Sequence, residues 1–240
     1  MSGRVAWITG GGSGVGAAAA VRLAAGGWTV AVSGRRADHL SAAVHRVTSA
    51  GGHAVAYPLD VTDGAAIDAV VDGIEADVGP ITTFVASAGL NTKRRFWPDL
   101  DRQALDDIIR VNLTSVAQCT AAVLPAMLRR GFGQIIVVSS RAARLPSPGA
   151  GVAYRMSKIG LRELVLDLND RHHGDGIRAT NLMPGDIATD FLDQRPDVPD
   201  TSAQAQMLTA EDVAEAIAFA AAVPRHVRID ELAISPSSAP

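Results

Sequence analysis

Thr9-Gly10-Gly11-Gly12-Ser13-Gly14-Val15-Gly16 decides how this chain is read. The apolar run Val5–Thr9 leads into it and an alanine-rich stretch leads out, so it joins a buried strand to a helix. Glycines let the backbone turn sharply and approach a pyrophosphate with no Cβ in the way. Free N–H groups at the helix start then point at the anion. Gly10, Gly12, Ser13, Gly14, Val15 and Gly16 are therefore candidate phosphate contacts. The spacing G-x-x-x-G-x-G differs by one residue from the common dinucleotide fingerprint, and many glycine-rich turns are only turns. No Lys follows Gly16, which argues against an ATP-hydrolysing phosphate loop.

Outward from this turn, short β-branched runs alternate with longer amphipathic stretches. Strands are predicted at Val5–Thr9, Thr29–Ser33, Ala54–Leu59, Thr82–Ala86, Gln134–Ser139, Arg178–Met183 and Ile229–Ile234. Helical stretches are predicted near 15–38, 62–77, 101–130, 153–172 and 209–222. Unbroken apolar runs such as Ile135-Ile136-Val137-Val138 suit a parallel sheet buried on both faces. The pattern predicts an α/β chain: a single-domain, Rossmann-type, doubly wound parallel sheet of about seven strands, with helices on both faces. Residues 1–240 show no linker and no internal repeat; 236–240 are expected to fray, and Asp193–Ser202 is either a mobile loop or a plain surface connection.

Composition narrows the function classes. With 48% hydrophobic and 20% charged residues, the chain has the profile of a globular protein. A net charge of −3 argues against a nucleic-acid partner. No apolar run reaches the ~18 residues of a membrane span, and Met1-Ser2-Gly3-Arg4 shows no signal-peptide pattern. Lone Cys119 reads as a small core side chain and fits a reducing cytoplasm. No cysteine or histidine spacing suggests a metal, and His172-His173 reads as a helix-end pair. The basic runs Lys93-Arg94-Arg95 and Arg129-Arg130, like Arg144, read as solvated surface, with an acidic substrate as the minor alternative for Lys93–Arg95 and Arg144.

Two further clusters bear on chemistry. The second strand ends at Ser33-Gly34-Arg35-Arg36, where dinucleotide folds meet the adenosine ribose. An acid there accepts from a free 2′-OH, and an arginine pairs with a 2′-phosphate. With no acid at Ser33 or Gly34 and two arginines following, NADP is preferred, and Asp38 keeps NAD as second choice. Tyr154-Arg155-Met156-Ser157-Lys158 sets Tyr and Lys at i and i+4, on one helix face. An ammonium beside a phenol favours its ionised form, and a drop of ~3 units from the usual pKa of about 10 is worth about 4 kcal/mol. Such a pair is common by chance, but Ser139-Ser140 closes a strand upstream and Asn112 sits in an apolar helix, where an amide must be bonded. Either could equally be structural, Ser140 as a cap and Asn112 as a satisfied core amide.

Together these residues resemble the short-chain dehydrogenase/reductase family over essentially the whole chain. The resemblance rests on Thr9–Gly16, Asp60-Val61, Ala86-Ser87-Ala88-Gly89, the set Asn112, Ser140, Tyr154 and Lys158, and Pro184-Gly185 followed by Ile187 and Thr189. It implies hydride exchange between nicotinamide and a small alcohol or carbonyl compound. Tyr154 would exchange the proton, Ser140 would bond the substrate oxygen, Lys158 would lower the Tyr pKa and hold the ribose, and Asn112 would hold a relay water. Asp60 and Val61 would meet the adenine; Ile187 and Thr189 would meet the carboxamide. Three departures stand out: the Ser140–Tyr154 gap is one residue longer than usual, so Ser139 competes for the role; both Asn of the Asn-Asn-Ala-Gly motif are lost; and Asp186 stands beside the carboxamide loop. The segment Arg225–Pro236 is similar to a branch that contains bacterial NADP-dependent 3-hydroxy-acid (serine-type) dehydrogenases, and family analogy implies a homodimer or homotetramer. The rival reading from another class is a non-catalytic NAD(P)-binding sensor on the same fold, which would tolerate loss of Tyr154 or Lys158.

Overall fold

The computed structural model describes residues 3–237. Its seven strands are β1 (Arg4–Thr9), β2 (Trp28–Gly34), β3 (His53–Pro58), β4 (Ile81–Ala86), β5 (Gly133–Val138), β6 (Ile177–Pro184) and β7 (Glu231–Ile234). They form one all-parallel sheet in the order β3-β2-β1-β4-β5-β6-β7. The chain builds outward from β1 in one direction, then restarts at β4 on the other side. The crevice where the order reverses lies beyond the carboxyl ends of β1 and β4, the usual ligand position in such sheets.

Alternation along each strand sends side chains to two cores. Trp7, Phe84, Ile135 and Val137 meet α3 (Gly64–Asp77), α5 (Ser115–Arg130) and α6 (Val152–His172). Ala6, Ile8, Val85 and Ile136 meet α1 (Gly14–Ala25), α2 (Ala37–Ser49) and α8 (Ala210–Ala222). Trp7 stacks on Phe84 with ring centroids 4.8 Å apart. Full burial of such side chains contributes roughly 1.5–3 kcal/mol each. The doubly wound α/β fold read from the sequence is the fold observed.

The helices differ from expectation in three places. The stretch 15–38 is not one helix: α1 stops at Gly26-Gly27, where Gly27 takes a φ of +84°, and β2 follows. The missed helix, α2, starts at Arg36, which makes no side-chain cap bond. The stretch 101–130 is α4 (Arg102–Ile109) and α5 joined by a π-helical turn, Arg110–Thr114, with Asn112 at its centre. By length and composition Arg102–Arg130 is apolar enough to cross a membrane, which the sequence reading did not expect. Nearly half of its most apolar window (44%) is buried within the fold, where Val116, Cys119, Val123 and Met127 join the core. Burial pushes the Cys119 thiol up to about 12.

Asp193–Ser202 contains the end of a 3-10 turn, Asp190–Gln194, and the start of the short α7 (Thr201–Gln204). The expected fraying of 236–240 falls mostly on 238–240, outside the described residues, and Pro236 packs against Gly185.

Candidate active site

The loops after β1, β2, β4, β5 and β6 enclose a cleft of about 820 Å³. At one end its wall is the glycine turn, where Gly10, Ser13, Gly14 and Val15 line the space. Gly10 and Gly14 take φ values of +69° and +48°, which L side chains rarely adopt. A Cβ on Gly16 would lie 2.3 Å from the Gly10 carbonyl oxygen, so Gly16 faces the turn itself rather than the cleft. Ser13 starts α1 without a side-chain cap bond, and the first turn carries no acid. That leaves an uncapped helix N-terminus aimed at the cleft, a good fit for a phosphate. Gly12 lies off the cleft beside His39.

Arg35 and Arg36 are exposed at the cleft's edge, and the Asp60 carboxylate lies within the field of Arg35. Ser33 corrects the sequence reading. Its side chain is fully buried and accepts a hydrogen bond of 3.0 Å from the Trp7 indole, so it does not face a ribose. Asp60 accepts from the Thr62 N–H and hydroxyl at 2.9 and 2.8 Å, and those bonds hold its carboxyl below the usual range. Val61 is buried in the core under α3. Neither Asp60 nor Val61 lines the cleft, whereas Ala88, Gly89, Pro184, Gly185, Ile187 and Thr189 all do.

At the other end lie Ser140, Tyr154 and Lys158. Ser140 caps the 3-10 turn Arg141–Ala143 by accepting from the Ala142 N–H at 3.1 Å, and its hydroxyl is near enough to the Tyr154 hydroxyl to favour the phenolate. Ser139 is turned inward, donating to Asn181 and to the Leu182 carbonyl, so Ser140 is the serine on Tyr154 despite the longer gap. Tyr154 tilts over Phe191 with centroids 6.1 Å apart.

Lys158 does not depress the tyrosine as expected. Its amine donates to the Val138 carbonyl at 3.0 Å and stands 5.4 Å from the centre of the Tyr154 ring. Burial pushes the Tyr154 hydroxyl up to about 12, outweighing the nearby Ser140 hydroxyl and the opposing charges of Arg195 and Arg95, with Asp186 adding to the rise. Burial also pulls the Lys158 amine down to about 8. Desolvation dominates here, since the charged form of either group loses water that the fold does not fully replace.

Asn112 is fully buried. Its amide oxygen accepts from Leu90 N–H at 2.8 Å, and its amide nitrogen donates to the Leu90 carbonyl at 2.9 Å and to Ser157 at 3.4 Å. The π turn presents this side chain sideways to the loop after β4, which it pins; it does not line the cleft. Among the described residues no group of three His, Cys, Asp or Glu side chains is placed to hold a metal.

Asn91, Arg95, Gln194 and Arg195 also line the cleft, in the stretches after Gly89 and within 188–207 where a pocket is expected, though sequence reasoning singled out no residue there for a role in it. Lys93 and Arg94 are exposed as expected, but Arg95 is only 4% exposed. A basic tripeptide carries no signal that one of its members turns inward.

A cleft at a strand-order reversal, lined at one end by a glycine turn and at the other by Ser140, Tyr154 and Lys158, is the arrangement a dinucleotide-dependent oxidoreductase needs. The short chain dehydrogenase family model matches residues 4–199, and the chain belongs to that family. It is 34% identical to sulfoacetaldehyde reductase of Chromohalobacter salexigens, covering 96% of this chain and 93% of that protein. It is 33% identical to serine 3-dehydrogenase of Rhizobium radiobacter, covering 98% and 94%. Glycine betaine reductase ATRR of Emericella nidulans is 34% identical over the whole chain, which spans only 19% of that much longer protein. The closed form of a serine dehydrogenase complexed with NADP+ superposes with a TM-score of 0.90 at 28% identity, covering 98% of this chain and 96% of that one. The resemblance to the serine-dehydrogenase branch is thus found in both sequence and fold.

Proposed function

We propose that this protein moves hydride between NADP(H) and the reacting carbon of a small alcohol or carbonyl compound, with Tyr154 exchanging the proton. The observation that carries the reading is Tyr154, sharing one cleft with Ser140, Lys158 and the glycine turn. Bound nicotinamide would supply the hydride. The chain's part is to bind, orient and manage the proton. Gly10, Ser13, Gly14 and Val15 would receive the pyrophosphate, with Gly12 and Gly16 shaping the turn. Arg35 and Arg36 would take the 2′-phosphate, which favours NADP over NAD. Ala88, Gly89, Pro184, Gly185, Ile187 and Thr189 would flank the rest of the nucleotide, and Asp60 and Val61 would shape the adenine end from behind.

A phenol held near 12 is protonated at neutral pH, so Tyr154 is ready to donate to a developing alkoxide. Ser140 would steady that oxygen. Lys158, charged below about 8, would hold the ribose. Asn112 would hold the Leu90 loop in place. Assembly as a homodimer or homotetramer belongs to the same reading; α6 carries Met156 and Ile159 at 52% and 41% exposure, apolar surface that a partner copy would cover.

The test is purified protein with NADPH or NADH and a panel of small ketones and aldehydes, followed by loss of nicotinamide absorbance. Turnover, faster with NADPH, is expected. Tight nucleotide binding with no turnover across the panel would favour the sensor reading instead.

A further inference from the structure

A buried arginine beside Tyr154 has no task in the reaction as described. Arg95 is only 4% exposed, and among the described residues no carboxylate pairs with it. Each of its three guanidinium nitrogens donates to a backbone carbonyl in a different segment. Nε donates to Thr92 at 2.5 Å, in its own loop after β4. One Nη donates to Gly149 at 3.3 Å, just before α6, and the other to Gln194, at the end of the turn after β6. Asn91 makes a second set of ties. Its amide nitrogen donates to the Ala150 carbonyl at 3.1 Å, and its backbone N–H donates to the Gln194 side chain at 2.5 Å. The same three segments are thus joined twice.

Two of those segments bear on Tyr154. Helix α6 opens at Gly151, which has a φ of +82° and no side chain to cap the first turn. Arg95 supplies what is missing there. Its own carbonyl accepts from the Val152 N–H at 3.1 Å, and its side chain fills the space beside Gly151, where a Cβ would stand 2.6 Å from it. Tyr154 follows two residues on. The turn Asp190–Gln194 carries Phe191, tilted against the Tyr154 ring at 6.1 Å between centroids. The backbone that carries Tyr154 and the ring packed beside it are therefore both fastened to one guanidinium. A buried cation without a countercharge is costly to a fold, so its presence needs a return. A neutral side chain does not offer donors along several directions of one plane, and a guanidinium does.

We propose that Arg95 is a positioning residue for Tyr154: its guanidinium ties the start of α6 to the turn that carries Phe191 and so fixes where the phenol stands in the cleft. This rests on the redox reading of the same cleft and names what holds its proton donor in place. The planar fork matters here, and the charge alone does not. An ammonium is a compact point donor and does not span three carbonyls set around one plane. Lysine is thus expected to replace Arg95 no better than methionine does.

The experiment compares wild type, Arg95→Lys, Arg95→Met and Gln194→Ala. NADPH titration counts the competent sites in each, and kcat for the carbonyl compound that wild type reduces fastest is expressed per site. In both Arg95 variants kcat per site is expected to fall by about tenfold to 100-fold, with the NADPH KM within a few-fold of wild type. Gln194→Ala should show a smaller fall, because the carbonyl tie to Arg95 remains. A merely structural arginine would lower the number of sites and leave kcat per site intact. That result, or activity restored by lysine, overturns the assignment while the redox reading stands. Hydrogen–deuterium exchange reads the tie itself and needs no turnover. In Arg95→Lys, peptides covering 149–155 and 190–195 should exchange faster together while β1 and β4 stay protected. Faster exchange in only one of the two segments, or in neither, overturns the tie. Should neither Arg95 variant fold, Gln194→Ala decides by the same two measures. If wild type reduces no compound, the redox reading falls and exchange alone decides whether Arg95 joins the two segments.

Discussion

At the β1–α1 end of the cleft the wall is made by taking side chains away, and at the α6 end by burying charge. Gly10, Gly14 and Gly16 occupy places where a Cβ would clash or the backbone is left-handed, and the helix opens on bare N–H groups. Around Tyr154 stand Lys158, Arg95 and Arg195, two of them buried below a tenth exposure. The first end would take an anion at little cost to the fold. The second trades stability for groups whose protonation can change during a reaction. One substitution can therefore weaken the fold at one end and strengthen it at the other.

Lys158→Met is the sharpest way to break the contrast. We predict a fall in kcat of about 10³-fold, in the range for a lost acid–base partner. The same variant should be more stable than wild type at pH 7 by up to roughly 3 kcal/mol, the value of lowering a pKa from 10.5 to about 8. Chemical denaturation measures the gain; a loss of stability would show that the Lys158 amine is not held against desolvation.

Gly16→Val attacks the other end. With its Cβ pressed on the Gly10 carbonyl, the turn cannot keep its shape, and NADPH affinity is expected to fall about 100-fold or more in a fluorescence titration. No stability gain accompanies it. Arg35→Ala is milder: loss of one charge-assisted contact, worth about 1.5–3 kcal/mol, should raise the NADPH KM by about tenfold or more and leave that for NADH nearly unchanged. Equal effects on both coenzymes would remove the 2′-phosphate assignment.

The smallest effect is the pH response. Reductive kcat/KM should be level below about 8 and decline above it as Lys158 loses its charge. Stability should move the opposite way. Between about 8 and 10.5 the unfolded chain keeps a proton on Lys158 that the folded chain has shed, so this residue's contribution rises with pH. The stability gap between wild type and Lys158→Met should accordingly narrow across that window.

The strands were legible because runs such as Ile135–Val138 are apolar without interruption, and the glycine turn because its requirement is an absence at fixed positions. Helix α2 was not: Arg36 opens it without a side-chain cap, and the one helix-start signal, Asp38 in the first turn, was weighed instead as a ribose contact. That Tyr154, Lys158 and Ser140 line one cleft was expected from their spacing and order. Ser33 was misread because its fate depends on Trp7, a strand away. Arg95 was misread because two loops distant in sequence, around Gly149 and Gln194, converge on its own loop to bury it. Asn112 could be picked out, but the π turn that aims it at Leu90 has no sequence pattern of its own. What a stretch needs from its own backbone can be read locally; what it receives from the far side of the fold cannot.

The most direct test runs NADPH binding and carbonyl reduction side by side on wild type and Tyr154→Phe. Removing one hydroxyl from the cleft should abolish reduction, about 10³-fold or more, while the NADPH dissociation constant stays within a few-fold of wild type. Reduction that survives in Tyr154→Phe at a comparable rate would contradict the account.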